Sequence, residues 1–325
     1  MELFNLTPYA AERIVTSGKN GRDTLLVVVK ATYALAPALK LAAEQLPVTL
    51  IDEYVDEPGQ SSLIAASDLV SEKPGAEIVL VGHVRPPRPV PSLDVSLAVG
   101  SWQKTVRVLG DRVWEKGLLG GYRASAPQPI TEVPLHWERA FGGVDESTQE
   151  RFDANPIGRG FLGKKSKAKL TGLGAPNLVD PRAPVDAPGE SHRAVGFGFL
   201  APGWKDRKQH AGTYDDTWAK EVSPFLPADF DPRYFLSAPR DQILSKPFIG
   251  GERVRVTGLA PIDFEMPTLR LDLSAMMDSV LEPLPAACDT AVIDLDRQAL
   301  TLVWRGRLDV QDRLDEIRWI RVANA

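Results

Sequence analysis

The sequence is poor in cysteine and has no long apolar segment. Cys288 is the only cysteine among 325 residues, which excludes an internal disulfide framework and favours a reducing compartment. Residues 1–5 show no basic region leading into an apolar core, so no secretory signal is predicted. No apolar run approaches the ~18 residues that a membrane helix requires. We therefore expect a cytoplasmic protein that does not insert into a membrane.

An excess of basic residues is also missing. Lys and Arg number 38 against 43 Asp and Glu, a formal net charge of −5, whereas a dedicated nucleic-acid-binding protein is normally basic. A short basic run does occur, but no aromatic residues are interleaved with it, as single-stranded nucleic acid would require. We predict an exposed mobile loop there and no nucleic-acid partner. The run consists of Lys164, Lys165, Lys167 and Lys169.

Sequence signatures of catalytic, metal and cofactor sites are missing as well. The four histidines (His83, His136, His192 and His210) show neither H-x-x-x-H nor H-x-H spacing, so the usual local signature of a zinc site is lacking. There is no G-x-S-x-G elbow, P-loop or G-x-G-x-x-G motif. We therefore expect no metal, no cofactor and no enzymatic activity.

Acidic residues leave one enzymatic alternative open. Asp215, Asp216, Asp229 and Asp231 lie close together in the sequence, and a pair of carboxylates can perform acid/base hydrolysis of a glycosidic bond. A carbohydrate or cell-wall hydrolase is thus the second hypothesis. Capping and turn roles explain Asp beside Pro and Gly more simply, so we favour those roles.

Glycine and proline are abundant, at 26 and 27 residues. Because proline breaks helix interiors, rigid loops between short strands are favoured over long helices. A short helix is predicted to begin at Pro232 and end near Ala238. Apolar runs and alternation predict strands at 24–33, 78–83, 93–99, 102–109, 252–258, 268–273, 290–295, 299–304 and 317–322.

These patterns predict a mainly β protein. The expected architecture is a large antiparallel β-sandwich or barrel-like scaffold with long Pro/Gly-rich loops and a few short helices. No linker separates two patterned halves, so a single domain is expected over residues 1–325. Its middle, at about 127–247, is predicted to be loop-rich and insertion-like.

The segment 135–161 is the most unusual part of this middle region. It reads L-H-W-E-R-A-F-G-G, a polar spacer, and then N-P-I-G-R-G-F. Glycine tolerates positive φ and close backbone approach, and arginine provides forked hydrogen bonds and stacking on aromatic rings. These are also residue types enriched at protein interfaces, so we propose protein binding, with internal packing as the alternative. The candidate residues are Trp137, Arg139, Phe141, Arg159 and Phe161, with Trp204 and Arg207 further along the chain.

An ordered set of segments resembles a known bacterial family. The set includes V-V-K-A-T-Y at 28–33, G-D-R-V-W at 110–114, P-L-H-W-E-R-A-F-G-G at 134–143 and N-P-I-G-R-G-F at 155–161. Shorter members of the set lie at 67–75, 81–83, 211–215, 226–230, 233–235, 238–239 and 250–252, together with Trp218. Together they resemble the family called domain of unknown function 2169 over residues 5–305.

The resemblance implies a role beside the type VI secretion system. Members of the family are similar to adaptor or chaperone proteins that help to load a toxic effector protein onto the spike protein. The implied partners are thus a secreted effector and the spike, and no catalytic residues are transferred. A structural component of the secreted tip is a further alternative.

Overall fold

Strands dominate the structure, a computed structural model that describes residues 1–17, 21–117, 120–311 and 313–325. Within these residues the helices are α1 (Lys205–Lys208) and α2 (Asp216–Glu221), with 3-10 helices at Trp137–Arg139, Pro232–Phe235, Arg240–Gln242 and Leu314–Glu316. The strands are β1 (Glu2–Asn5), β2 (Ala10–Ser17), β3 (Asp23–Ala34), β4 (Lys40–Leu41), β5 (Glu53–Tyr54), β6 (Leu63–Ala65), β7 (Ala76–Val81), β8 (His83–Val84), β9 (Ser92–Val99), β10 (Trp102–Leu109), β11 (Trp114–Lys116), β12 (Tyr122–Ala124), β13 (Val133–Pro134), β14 (Phe141–Gly142), β15 (Arg159–Gly160), β16 (Leu178–Val179), β17 (Ile243–Leu244), β18 (Arg253–Thr257), β19 (Ile262–Glu265), β20 (Leu271–Met277), β21 (Val280–Pro283), β22 (Ala286–Asp294), β23 (Ala299–Asp309) and β24 (Ile317–Asn324). The prediction of a mainly β protein is confirmed.

The largest sheet has seven strands. Its order is β17-β7-β22-β23-β3-β2, and β4 pairs with β3. Strand β3 is buried on both faces, as its unbroken apolar run indicates. Val27 and Val29 point into the main core, while Leu26 and Val28 pack in a second cluster on the other face.

Two further sheets complete the scaffold. A five-stranded sheet has the order β16-β10-β9-β18-β19, and a four-stranded sheet has the order β1-β24-β20-β21. Side chains from all three sheets meet in one hydrophobic cluster, for example Val29, Leu97 and Ile320. The result is a sandwich-like arrangement of open sheets. The barrel-like alternative does not apply to the described residues, because each of these sheets has two distinct edge strands.

The pairing is not purely antiparallel. Strands β1 and β24, β7 and β22, and β14 and β15 form parallel pairs. Other elements separate the members of the first two pairs, and a long loop at 143–158 connects β14 to β15, so no tight turn forces the strands to run in opposite directions. The predicted strands at 93–99 and 102–109, and those at 290–295 and 299–304, pair as antiparallel hairpins, β9 with β10 and β22 with β23.

The middle of the chain, at about 127–247, has few regular elements among its described residues. It contributes short strands to the sheets, since β16 pairs with β10 and β17 pairs with β7. Trp137, Phe197 and Trp204 from this region belong to the main hydrophobic cluster. The organisation as one domain stays a prediction. The basic run at 164–169 has exposed lysines, while its mobility stays a prediction. None of the helices in the described parts of the chain is long and apolar enough to cross a membrane.

Candidate protein-binding groove

The segment 135–161 is organised around one buried amide, that of Asn155. Its Nδ2 donates hydrogen bonds to the carbonyl oxygens of Trp137, at 2.9 Å, and Phe141, at 3.0 Å. Its own backbone carbonyl accepts the N–H of Gly143 at 2.9 Å. Asn155 has no exposed surface, and a buried polar group that loses its partner costs about 1–3 kcal/mol. This one side chain therefore connects the first residue of the Trp137–Arg139 helix to β14, which follows the helix.

Trp137 and Trp204 pack edge to face below a surface groove. Their ring centroids lie 5.7 Å apart at an interplanar angle of 84°, a favourable arrangement for aromatic pairs. The indole Nε1 of Trp137 donates a hydrogen bond to the carbonyl oxygen of Phe199 at 2.8 Å. Because Trp204 directly precedes α1, the aromatic pair fixes the position of this short helix.

Arg207, within α1, ties the following loops together from inside. Its Nε donates to the carbonyl oxygen of Tyr234 at 3.0 Å and its Nη1 to that of Leu200 at 2.8 Å. The guanidinium also lies 5.3 Å from the centroid of the Tyr234 ring. Burial lowers the pKa of Arg207, while the charges of Asp52 and Glu77 act in the opposite direction. Arg207 thus stabilises loops that are otherwise short of regular structure.

Three overlapping cavities form a continuous groove above this region. Their volumes are about 520, 550 and 430 Å³. The first and second share Lys104, Val195 and Asp241. The second and third share a further set of lining residues, namely Arg193, Leu200, Asp206 and Arg240. We call the surface lined by the three cavities the arginine groove.

Positive charges outnumber negative charges along the arginine groove. It has six cationic side chains and three acidic ones, in contrast to the excess of acidic residues in the whole chain. The cationic residues are Lys104, Arg182, Arg193, Arg207, Arg233 and Arg240, and the acidic ones are Asp180, Asp206 and Asp241.

Most of these cations already have partners. Lys104 is buried, and its Nζ contacts Asp241 at 2.7 Å and the side-chain oxygen of Gln242 at 2.8 Å. Burial lowers the pKa of Lys104, although the ion pair with Asp241 acts in the opposite direction. Arg233 pairs with Asp231. Arg182 lies 3.7 Å from Asp180.

Arg193 and Arg240 differ from the other cations of the groove because they have no such partner among the described residues. Both side chains are exposed, and both line the second and third cavities. Among the residues that the structure describes, neither guanidinium has an ion pair or a side-chain hydrogen bond. An arginine presents five N–H donors in a planar fork that matches a carboxylate. These two side chains can therefore bind an anionic group without breaking an existing interaction.

The other predicted site residues lie outside the arginine groove. Phe141 is completely buried in a separate hydrophobic cluster, against which Phe161 packs. Arg139 forms an ion pair with Asp111 at 2.8 Å, and the Nε of Arg159 donates to the carbonyl oxygen of Glu138 at 2.7 Å. Arg159 and Phe161 also line a smaller cavity of about 160 Å³.

The structure therefore divides the seven predicted residues into two groups. One group lines or supports the arginine groove and consists of Trp137, Trp204 and Arg207. The other group lies outside the groove and consists of Arg139, Phe141, Arg159 and Phe161. Burial favours internal packing for Trp137, Phe141, Trp204 and Arg207. Direct protein binding by any of the seven stays a prediction.

Sequence reasoning missed the charged residues that distinguish the groove. Arg193 and Arg240 are isolated in the sequence, and only the fold brings them to one surface. Lys104 did carry a signal, because it shares a face of β10 with the buried residues Val106 and Val108. A lysine on the apolar face of an alternating strand indicates a buried, paired cation.

Three of the four acidic residues of the hydrolase hypothesis have structural roles. Asp215 caps α2 by accepting the N–H of Trp218 at 2.8 Å, and Asp231 caps the Pro232–Phe235 helix through the N–H of Arg233. Asp229 accepts the hydroxyl of Thr213 at 2.8 Å. The described residues contain no group of three or more His, Cys, Asp or Glu side chains able to hold a metal ion.

Comparison with known protein families matches residues 20–305 to domain of unknown function 2169, described as an uncharacterized protein conserved in bacteria. The chain belongs to this family. The match covers most of the chain and agrees with the range over which the sequence segments resemble the family. Neither the curated proteins nor the solved structures gave a match. The family match thus identifies the family of this chain and assigns it no function.

Proposed function

We propose that this protein is a non-catalytic adaptor that binds a type VI secretion effector in the bacterial cytoplasm and helps to load it onto the spike. The observation that carries the proposal is the arginine groove, a long open surface with two exposed guanidiniums that have no partner within the described chain. The resemblance of the domain 2169 family to effector adaptors supports the same conclusion.

The architecture around the groove suits a binding role. Its floor is supported by the Trp137–Trp204 pair and by Arg207, whose guanidinium donates to the backbone carbonyls of Leu200 and Tyr234. A surface that is held in place before binding loses less conformational entropy when a partner docks. A partner that must later be released needs only modest affinity, and a Kd near 1 μM corresponds to about −8 kcal/mol.

The hydrolase alternative receives no comparable support. Three of the four acidic side chains on which it depended, those of Asp215, Asp229 and Asp231, cap helices or bind neighbouring loop residues. In the groove itself, Asp241 is engaged by Lys104 and Asp180 lies near Arg182. An acid/base pair requires two carboxyl groups that face each other across a substrate, and these interactions supply other roles for the carboxylates.

The proposal is tested by deleting the gene in the native bacterium. Export of the associated effector and export of the tube protein are measured in the same cultures. We expect the effector to disappear from the supernatant while the tube protein is still exported. Unchanged effector export would reject the adaptor role.

Two further results identify the alternatives. Loss of both the effector and the tube protein would point to a structural component of the secretion machine. Recovery of this protein itself from the supernatant together with the spike would favour a component of the secreted tip. Complementation with the wild-type gene, which restores effector export if the deletion is clean, is the control.

A further inference from the structure

We propose that the arginine groove binds an extended acidic segment of the partner, with carboxylates placed on Arg193 and Arg240. This inference names the chemistry of the partner and rests on the proposed function for the partner being the secreted cargo. It depends on charge, on the shape of the groove and on its apolar lining.

The first step concerns charge. In a chain with five more acidic than basic residues, most guanidiniums of the described residues pair with a carboxylate of the same chain, as Arg107 does with Asp94 at 2.7 Å. Arg193 and Arg240 lie at the same groove and have no such partner among the described residues. Arg193 and Lys104 both line the middle cavity, and burial together with the charge of Arg193 lowers the pKa of Lys104. A carboxylate placed here would relieve this repulsion.

The second step concerns shape. The groove continues from Trp102 and Arg182 at one end, past Arg193 and Arg240, to Arg233 at the other. A compact anion such as phosphate would fill only one of the three cavities. An extended peptide places successive side chains on opposite sides of its backbone. It can therefore direct acidic side chains towards several arginines along the groove.

The third step concerns the apolar part of the lining. Ala194, Val195 and Leu200 lie between the charged residues, and the exposed carboxylate of Asp206 is the one acidic group of the middle cavity that lacks an ion pair within the described chain. The matching segment would thus combine several acidic residues with aliphatic or aromatic ones and at most one basic residue. A uniformly acidic tract or a nucleic acid would leave the apolar lining uncovered.

The experiment is a peptide-display selection on the purified full-length protein. The probe is a random library of peptides of about twelve residues, long enough in an extended conformation to follow a groove of this kind. We expect the wild-type protein to enrich peptides rich in Asp and Glu together with apolar residues. Binding of a selected peptide, measured by fluorescence anisotropy, should weaken as the salt concentration rises from about 0.05 to 0.5 M.

A charge-reversal variant provides the decisive comparison. R193E/R240E should bind the selected acidic peptide at least about tenfold more weakly, and a new selection on it should enrich basic peptides. The matched control is R88E/R270E, which makes the same charge change at two exposed arginines outside the groove. The control should keep the wild-type preference within about twofold.

Three outcomes would overturn the inference. They are enrichment of neutral or basic peptides by the wild-type protein, no peptide enrichment at all, and equal weakening by the groove and control variants. Circular dichroism of each variant verifies that the fold is retained. Because the selection uses no secretion machinery, its failure is distinct from the failure of the adaptor role, which the deletion strain tests separately.

Discussion

Glu77 and Ser237 lie 160 residues apart in the sequence, yet the carboxylate of Glu77 accepts hydrogen bonds from both the backbone N–H and the hydroxyl of Ser237, at 2.7 and 2.9 Å. The same carboxylate accepts the N–H of Ala238 at 2.8 Å and pairs with Lys73. Glu77 belongs to β7 of the largest sheet, whereas Ser237 belongs to the loop-rich middle region. One buried carboxylate thus attaches the groove-bearing loops to the sheet.

Replacement of Glu77 by Gln should strongly destabilise the protein. Burial by itself raises the pKa of Glu77, but Lys73, Ser237 and the N–H of Ala238 lower it overall, so the carboxylate is charged when folded. The variant would leave Lys73 buried without its counter-ion, a change that costs about 3–5 kcal/mol. Urea denaturation measures the loss.

The control for this prediction is Glu72→Gln. Glu72 pairs with Arg307, but both side chains are more than one-third exposed, so the loss should stay below about 1 kcal/mol. A Glu77→Gln variant that is no less stable than Glu72→Gln would show that the buried carboxylate does not secure the middle region.

A second prediction concerns the pH dependence of stability at Asp231. Its hydrogen bond with Arg233 lowers the pKa of Asp231 from 3.8 to about 2. Because the folded-state pKa is the lower one, the carboxylate stabilises the fold fully above pH 3.8, and this contribution is lost as the pH falls towards 2. Asp231→Asn can still cap the helix but loses the ion pair with Arg233, so it should be less stable by about 0.5 kcal/mol at pH 6, with a smaller difference below pH 3.8.

Chemical denaturation of both proteins between pH 6 and about pH 3 measures this difference. Asp216→Asn is the matched control, because it makes the same substitution in a helical first turn without removing a side-chain hydrogen bond of the described residues. A difference for Asp231→Asn that stays constant over the whole range would contradict the assignment.

The third prediction concerns the amide that organises segment 135–161. Asn155→Ala would remove the side-chain donor to the carbonyl oxygens of Trp137 and Phe141. The Trp137 carbonyl keeps the N–H of Ala140 as a donor, so the loss falls mainly on Phe141, and we expect a cost of about 1–3 kcal/mol. Asn324→Ala, at an exposed position, should change the unfolding free energy by less than about 0.5 kcal/mol. Equal stability of the two variants would contradict the role of Asn155.

Much of the scaffold is predictable because strand periodicity is a local property of the sequence. Leu97 and Val99 of β9, and Val254 and Val256 of β18, alternate with exposed or half-buried residues, so their strands can be read from a few neighbouring residues. The parallel pairing of β7 with β22 is different, since its members are remote in the sequence. No local pattern specifies such a pair.

The candidate site was less predictable for a related reason. Tryptophan and arginine are typical of protein interfaces, which is why the sequence suggests a binding role for Trp137, Trp204 and Arg207. In the folded protein all three side chains are buried. Arg193 and Arg240 have no distinctive pattern in the sequence, and their importance comes from the lack of an ion pair with any described residue after folding. An unpaired charge is a property of the three-dimensional arrangement, so composition and spacing cannot reveal it.

The last prediction tests the close backbone packing within segment 135–161. Gly158 packs closely against Ala140, Gly142 and Asn155. A Cβ atom at position 158 would lie 2.5 Å from Nδ2 of Asn155 and 2.7 Å from the carbonyl oxygen of Ala140. The backbone conformation of Gly158 is not left-handed, so the effect of an alanine there is purely steric. Gly203 is a suitable control, since a Cβ atom there meets nothing within 4 Å.

Gly158→Ala should therefore displace Asn155 and lower stability by about 1–3 kcal/mol, as overpacking does in other interiors. Gly203→Ala should change it by less than about 0.5 kcal/mol. Combining Gly158→Ala with Asn155→Ala should give less than the sum of the single losses, because both act on the same hydrogen bonds. Urea denaturation of the four proteins completes the double-mutant cycle. Strict additivity would show that Gly158 does not act through the Asn155 amide.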